Sequence, residues 1–105
     1  MKRPMTTASV NTFAEGVATR QTYALTFATL RDGLADFVTV TDAELAEAVR
    51  LMLTLTHNLV EGAGALGVAA ALKLRDTLRG KRVGVILSGG NLDTAVLRRI
   101  LNREL

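Results

Sequence analysis

The residues best suited to chemistry lie in a glycine-rich turn near the end of the chain. The run Val83-Gly84-Val85-Ile86-Leu87 contains only apolar residues and glycine, and Ser88-Gly89-Gly90-Asn91 follows it directly. A helical pattern then extends from Leu92 to Leu105. A strand, a glycine turn and a helix in this order present backbone N–H groups and a hydroxyl to a ligand. The turn is therefore a candidate binding site, at which two glycines allow a flat ligand to approach closely.

Ser88 lacks the surroundings of a catalytic nucleophile. The Gly-x-Ser-x-Gly elbow is absent, and the single histidine, His57, has no recognisable link to the turn. His57 ends a helical pattern, so we interpret it as a polar helix-end residue rather than a ligand. The Ser88 hydroxyl is better suited to donating a hydrogen bond to a ring or a carbonyl group. A plain glycine-rich turn with no ligand is the structural alternative.

A second glycine motif, Gly62-x-Gly64-x-x-Gly67, matches the dinucleotide-binding fingerprint letter for letter. Its context argues against that function, because the residues before it follow a helical pattern rather than a strand. No Asp or Glu stands about twenty residues further on, where the fingerprint places a ribose-binding acid. Glycines inside a helix lower its stability by about 1 kcal/mol each relative to alanine. We interpret the three glycines of this motif as sites of close backbone approach, either to another element or to a ligand.

A lone acid, Glu15, stands beside Gly16 in the short apolar piece from Thr12 to Ala18. This piece is predicted to form a brief strand or a turn. Single glutamates are mostly exposed in proteins, so the pattern by itself indicates a surface acid.

Length and composition exclude several classes of protein. The chain has 105 residues, enough for one domain, and 49% of them are hydrophobic, which argues against disorder. It contains no cysteine, so it holds no disulfide or thiolate metal site, and this fits a cytoplasmic protein. No apolar run approaches the roughly 18 to 20 residues that span a bilayer. The net charge is +3, but the basic residues alternate with acidic ones. This pattern disfavours a nucleic-acid-binding surface.

The apolar periodicity predicts the elements that must position these residues. Thr41-Asp42-Ala43-Glu44 is a capping box, in which Thr41 and Glu44 satisfy free N–H groups at the start of a helix. Residues 1–12 are predicted to be a loop or a ragged start because they contain Pro4 and many small polar residues. The pattern predicts helices over 22–34, 41–56, 62–78 and 92–105, with strands over 37–40 and 83–87.

These elements predict an α/β fold with a partial layered sheet of few strands flanked by helices. Two strands alone make a marginal sheet, and a buried strand such as 83–87 needs neighbours on both sides. We therefore expect residues 1–105 to form a single module that is one side of a larger α/β sheet.

Taken together, the segments resemble the C-terminal third of the threonine/serine dehydratases (ammonia-lyases) and serine racemases. These are pyridoxal-phosphate enzymes of the tryptophan-synthase β-subunit fold type, also called fold type II. The resemblance covers nearly the whole chain in consistent order. It is carried by Ser9 to Ala18, Leu25-Thr26-Phe27, Phe37 to Glu44, Leu59 to Ala65 and Val85 to Asn91.

The resemblance implies roles for four residues. In the family, the serine of the Ser-Gly-Gly-Asn turn bonds the pyridine nitrogen of pyridoxal phosphate, which implies that role for Ser88, with Gly89 beside the ring. The glutamate that opens Glu-Gly-Ala-Gly lies near the cofactor ring, which implies a cofactor-binding position for Glu61. The acid of the Ala-Asp/Glu-Gly segment lies on the substrate side, which implies that position for Glu15, although aspartate is commoner there.

The chain also departs from the family's pattern. The family's cofactor lysine lies in a segment well before this region, and none of Lys2, Lys73 and Lys81 stands in such a context. The glycine-rich phosphate-binding loop and the upstream carboxylates of the family's divalent-metal site have no counterpart either. We therefore predict no catalytic residue and no metal ligand in this chain, and little chemistry or cofactor binding by the chain alone.

The resulting hypothesis is a C-terminal portion of a pyridoxal-phosphate-dependent threonine/serine ammonia-lyase. Its parent substrate would be L-threonine or L-serine, and its partner would be a complementary N-terminal part. The alternative is a non-catalytic α/β interaction module that assembles with itself or with another chain. It would bury the open edge of strand 83–87 in that contact.

Overall fold

The computed structural model describes residues 3–105. Two 3₁₀ turns, Glu15–Val17 and Ala63–Ala65, and a π-helical turn, Met52–Thr56, accompany the α-helices. The five α-helices of these residues are α1 (Ala24–Gly33), α2 (Asp42–Leu51), α3 (Leu66–Lys73), α4 (Arg75–Leu78) and α5 (Thr94–Leu101).

Helix α2 lies at the centre of the fold, and the predicted capping box starts it. The Thr41 hydroxyl accepts a hydrogen bond from the Glu44 N–H at 3.2 Å, and the Glu44 carboxylate accepts one from the Thr41 N–H at 2.7 Å. The helix continues through the π-helical turn and ends at His57, whose φ of 57° is left-handed. The predicted helix over 41–56 and its exit at His57 are therefore confirmed.

The core is built mainly from alanine, with α2 packed against both α3 and α5. Val49 and Ile100 are the largest side chains that are fully buried. Two polar contacts hold these helices together: Arg50 donates to the Ile100 carbonyl oxygen at 2.7 Å, and Lys73 pairs with Glu44 at 3.1 Å. The small side chains allow the helices to approach closely, and this compensates for the scarcity of aromatic residues.

The third predicted helix, over 62–78, is present but irregular. It begins as the 3₁₀ turn, continues as α3, and is interrupted at Leu74 before α4. The Leu74 N–H still bonds to the Ala70 carbonyl at 2.9 Å, so the interruption is a local distortion rather than an end. The glycines at the start of this segment weaken regular helix formation, which accounts for its 3₁₀ beginning.

The last helix is shorter than its predicted range of 92–105. It begins after Asp93, whose carboxylate accepts hydrogen bonds from the Ala95 and Val96 N–H groups, and its last residue is Leu101. Aspartate at this position satisfies the free N–H groups of the first turn, so the helix starts there. Leu101 is exposed, whereas the neighbouring Ile100 is buried.

The predicted sheet is not confirmed, because residues 3–105 contain no strand. The stretches 37–40 and 83–87 have irregular backbone, and they do not pair with each other. In the described part of the chain, no backbone group of residues 82–88 makes a hydrogen bond. A strand is stabilised by a ladder to a neighbour, so an apolar run without a neighbour does not form one.

Helix α1 confirms the predicted helix over 22–34 but buries none of its residues. Residues 3–12 contain no helix, as predicted for a loop. Residues 1 and 2 of the predicted loop lie outside the described range. Across residues 3–105, every helix is too short or too polar to cross a membrane.

Candidate functional site

The site is built where three separate segments meet: the first 3₁₀ turn, the start of the Glu61–Ala65 segment and the Ser88–Asn91 turn. The Glu61 N–H donates a hydrogen bond to the Gly89 carbonyl oxygen at 3.1 Å. This bond joins residues that are 28 positions apart in sequence. The structure therefore brings two of the sequence-predicted site residues into direct contact.

The Glu61 side chain lies between the other two segments. A Cβ atom on Gly89 would collide with Glu61 Oε1, so a side chain at this position would force the carboxylate to move. On the opposite side, a Cβ on Gly16 would lie 3.9 Å from Glu61 Oε2. The carboxylate thus sits between the Ser88–Gly89 turn and the Glu15–Gly16 turn.

Glu15 is held in this place by the residues before it. The Thr12 hydroxyl donates to Asp42 at 2.6 Å and accepts from the Ala14 N–H at 3.1 Å, which attaches the turn to the start of α2. Ala14 is buried, and a Cβ on Gly62 would approach it to 3.0 Å. Close packing of these small residues therefore fixes the backbone position of Glu15, whose side chain is exposed.

A small depression of about 50 Å³ opens between these segments. Three carboxylates and an amide line it, and none of its lining residues is basic. They are Glu15, Glu61, Asn91 and Asp93, together with Phe13, Gly62, Leu92 and Val96. Its size suits a substituent or an edge of a ligand rather than a whole cofactor.

Ser88 stands at the exposed side of the same turn and does not line the depression. Among residues 3–105, no group makes a hydrogen bond with its hydroxyl. The hydroxyl is thus available to a ligand, and the adjoining Gly89 offers no side chain that would block a flat ring.

Two residues of this site had no predicted role of their own, although one of them, Asn91, belongs to the predicted binding turn. Asn91 and Asp93 line the depression, and Asp93 also caps α5. An aspartate immediately before an apolar-periodic helix is a recognisable capping signal, which would have located the helix start. Nothing in the local pattern, however, shows that this helix start faces Glu15.

Comparison with known proteins shows which family the sequence of the chain matches. The profile of the family described as "Pyridoxal-phosphate dependent enzyme" matches residues 1–89. The chain is 38% identical to an L-threonine ammonia-lyase of Thermotoga maritima over 90% of its own length and 23% of that protein. It is 42% identical to an L-threo-3-hydroxyaspartate ammonia-lyase of a Pseudomonas species, over 78% of the chain and 26% of the relative.

The backbone supports the same relationship. The structure of maize serine racemase superposes with a TM-score of 0.81 at 30% identity, over 98% of this chain and 34% of that one. Each of these proteins is therefore about three times as long as the present chain, or longer. The matched portion in each is a minority of its length.

Proposed function

The chain belongs to the pyridoxal-phosphate dependent enzyme family, and from that premise we propose that it forms the pyridine-nitrogen side of a cofactor site in a threonine/serine ammonia-lyase. The parent reaction is the dehydration and deamination of a hydroxy amino acid to a 2-oxo acid and ammonia. A complementary N-terminal part, with the cofactor lysine and the phosphate-binding loop, completes the enzyme. The chain alone is inactive.

One observation carries this proposal: the turn bearing the free Ser88 hydroxyl is bonded directly to Glu61 through the Gly89 carbonyl. Ser88 and Gly89 fit one edge of pyridoxal phosphate. The Ser88 hydroxyl has no partner within residues 3–105, and the adjacent Gly89 has no side chain that would block the ring. None of the described residues that line the small depression is basic, so the depression does not suit a phosphate. The fit therefore extends to the ring and not to the phosphate.

Each residue has a distinct task in this proposal. Ser88 donates a hydrogen bond to the ring nitrogen, and a neutral hydroxyl there favours the unprotonated nitrogen. Glu61 borders the ring, and Glu15 lies on the substrate side. When bound, pyridoxal phosphate supplies the electron sink for bond cleavage at the substrate α-carbon.

The exposed apolar stretches support a partner chain. Phe37 and Ile86 are 77% and 84% exposed, although both stand in stretches predicted to be strands. Pairing with strands of the complementary part would bury them and satisfy the free backbone groups of residues 82–88. Self-association would cover the same residues, so the oligomeric state of the chain alone separates these two arrangements.

The test uses the purified chain with and without a complement. The complement is the part of the Thermotoga maritima L-threonine ammonia-lyase that precedes the matched region. With pyridoxal phosphate present, the chain alone should give no stoichiometric lysine adduct after borohydride reduction. Mixing should restore a cofactor absorbance band and the formation of a 2-oxo acid from threonine or serine. A stoichiometric adduct and threonine turnover by the chain alone would overturn the inactivity proposal.

Substitution of Ser88 tests the role of the turn in the mixed complex. Ser88→Ala should lower the rate roughly tenfold or more and alter the cofactor absorbance, because a hydrogen bond to the reacting ring is lost. Ser88→Thr keeps a hydroxyl and should recover part of the rate. Thr77→Ala, which removes an exposed hydroxyl from α4, is the control and should change neither quantity. Equal rates for Ser88→Ala and Thr77→Ala would refute the assignment.

A further inference from the structure

A contact between two glycines, Gly64 and Gly89, seats the Ser88 turn on the rest of the chain. A Cβ atom on Gly64 would lie 2.6 Å from the Gly89 carbonyl oxygen and 3.2 Å from the Gly89 nitrogen. Both neighbouring atoms belong to the backbone, so neither can rotate away as a flexible side chain would. Any residue other than glycine at position 64 must therefore displace the turn.

A second close backbone contact restrains the turn at Gly90. A Cβ on Gly90 would lie 2.7 Å from the carbonyl oxygen of Leu59. Leu59 and Gly64 flank Glu61, whose N–H bonds to Gly89 at 3.1 Å. The turn is thus held by one hydrogen bond and by close backbone contacts at Gly64 and Gly90.

We propose that Gly64 and Gly90 are positioning residues, which set where the Ser88 hydroxyl stands relative to Glu61. The catalytic consequence rests on the proposed function, but the positioning itself does not. Relieving the Gly64 contact would move the turn by roughly 1 Å to reach ordinary van der Waals separation. A displacement of that size at a group that orients a reacting ring lowers rates by about a hundredfold.

The glycine at 64 is not explained by local conformation. It lies in the Ala63–Ala65 3₁₀ turn that leads into α3, where alanine would be the better helix former. Its φ is not among the positive values of the described residues. The close approach to Gly89 is therefore what requires glycine here.

Gly84 provides a matched control. It lies four positions before Ser88 in the same stretch, and a Cβ placed on it would meet nothing within 4 Å. Gly84→Ala therefore adds the same methyl group, with the same effect on the unfolded chain, but without the contact.

The first measurement follows the amide groups of the full ¹⁵N-labelled chain by NMR, without cofactor. Gly64→Ala and Gly90→Ala should shift the amide resonances of Ser88 and Gly89 and speed exchange of the Glu61 amide hydrogen about tenfold. Gly84→Ala should leave Glu61 exchange unchanged. Equal behaviour of all three variants would overturn the proposal. So would loss of the folded spectrum in both contact variants, because the contact would then support the whole fold rather than the turn.

The second measurement uses the complex with the N-terminal complement. Gly64→Ala should lower kcat about a hundredfold with little change in the concentration of pyridoxal phosphate needed for saturation, since the phosphate is held by the other part. An unchanged kcat would overturn the catalytic consequence. A complex of the unaltered chain that shows no activity would instead contradict the proposed function, and the NMR measurement would still decide the positioning role.

Discussion

Two regions of the molecule differ in how completely they are packed. Helices α2, α3 and α5 surround a core in which Val49 and Ile100 have no exposed surface. Helix α1 and the stretches 37–40 and 83–87 keep large apolar side chains in solvent, with Leu25 82% exposed. Large apolar side chains occur in both regions, so the presence of apolar residues does not by itself explain the difference. The packed region supports the candidate site, whereas the other region keeps its large apolar side chains exposed, as the proposed contact with a partner requires.

The largest expected effect comes from a pair of isoleucines, one from each region. Ile100→Ala should destabilise the chain by about 2–5 kcal/mol, because a buried side chain is lost and a cavity remains. Ile86→Ala, at a residue 84% exposed, should change the free energy of unfolding by no more than about 0.5 kcal/mol. Urea unfolding followed by circular dichroism measures both. Similar values for the two variants would erase the distinction between the regions.

A pair of arginines gives the next largest effect. Arg50 is 14% exposed, donates to the Ile100 carbonyl and pairs with Glu47. Arg50→Met should destabilise the chain by about 1–3 kcal/mol, since the carbonyl loses a charged donor in a partly buried place. Arg31→Met removes an exposed pair with Asp32 in α1 and should leave the thermal unfolding midpoint unchanged. A larger effect at position 31 than at position 50 would contradict this ranking.

The cap of α2 contributes a smaller amount. Thr41→Ala removes the hydroxyl that accepts from the Glu44 N–H, and should cost about 1 kcal/mol of stability. Thr77→Ala, in the exposed and short helix α4, is the matched control and should be neutral. The thermal unfolding midpoints of the two variants provide the comparison. No difference between them would mean that the capping box does not stabilise the packed region.

The smallest effect concerns pH. The hydrogen bond from the Thr41 backbone N–H, followed by the one from Lys73, lowers the pKa of Glu44 below its ordinary value of 4.5. Because the folded pKa is lowered, the stabilisation is complete above the ordinary value. It is lost as the pH falls through the lowered one. Unfolding midpoints of the unaltered chain and of Glu44→Gln should therefore converge as the pH falls through the lowered pKa of Glu44. A constant difference between them across the acid range would contradict this assignment.

Local sequence signals predicted the packed region well. Thr41 and Glu44 identified the start of α2, and the His57 exit matches its left-handed backbone. These features depend on residues within a few positions of each other, so a short window contains the physical cause. The family resemblance also extends over the region that the family profile matches.

The candidate site was predictable only as separate pieces. Ser88, Gly89, Glu61 and Glu15 were identified by resemblance, but their proximity depends on contacts between distant segments. The structure shows that Asn91 and Asp93 line the same depression as Glu15, and no short-range sequence pattern links these positions. The interruption at Leu74 and the exposure of Leu101 were likewise not predicted from the apolar periodicity.

The sequence by itself determined which segments become helices and which residues could do chemistry. Capping groups, apolar periodicity and glycine positions act locally and are readable in the chain. Only the tertiary structure decided that Glu61 meets Gly89, that α1 buries none of its residues and that the two apolar stretches find no strand among residues 3–105 to pair with. These outcomes depend on how backbones approach each other in space, and on whether a second strand is present to accept their hydrogen bonds.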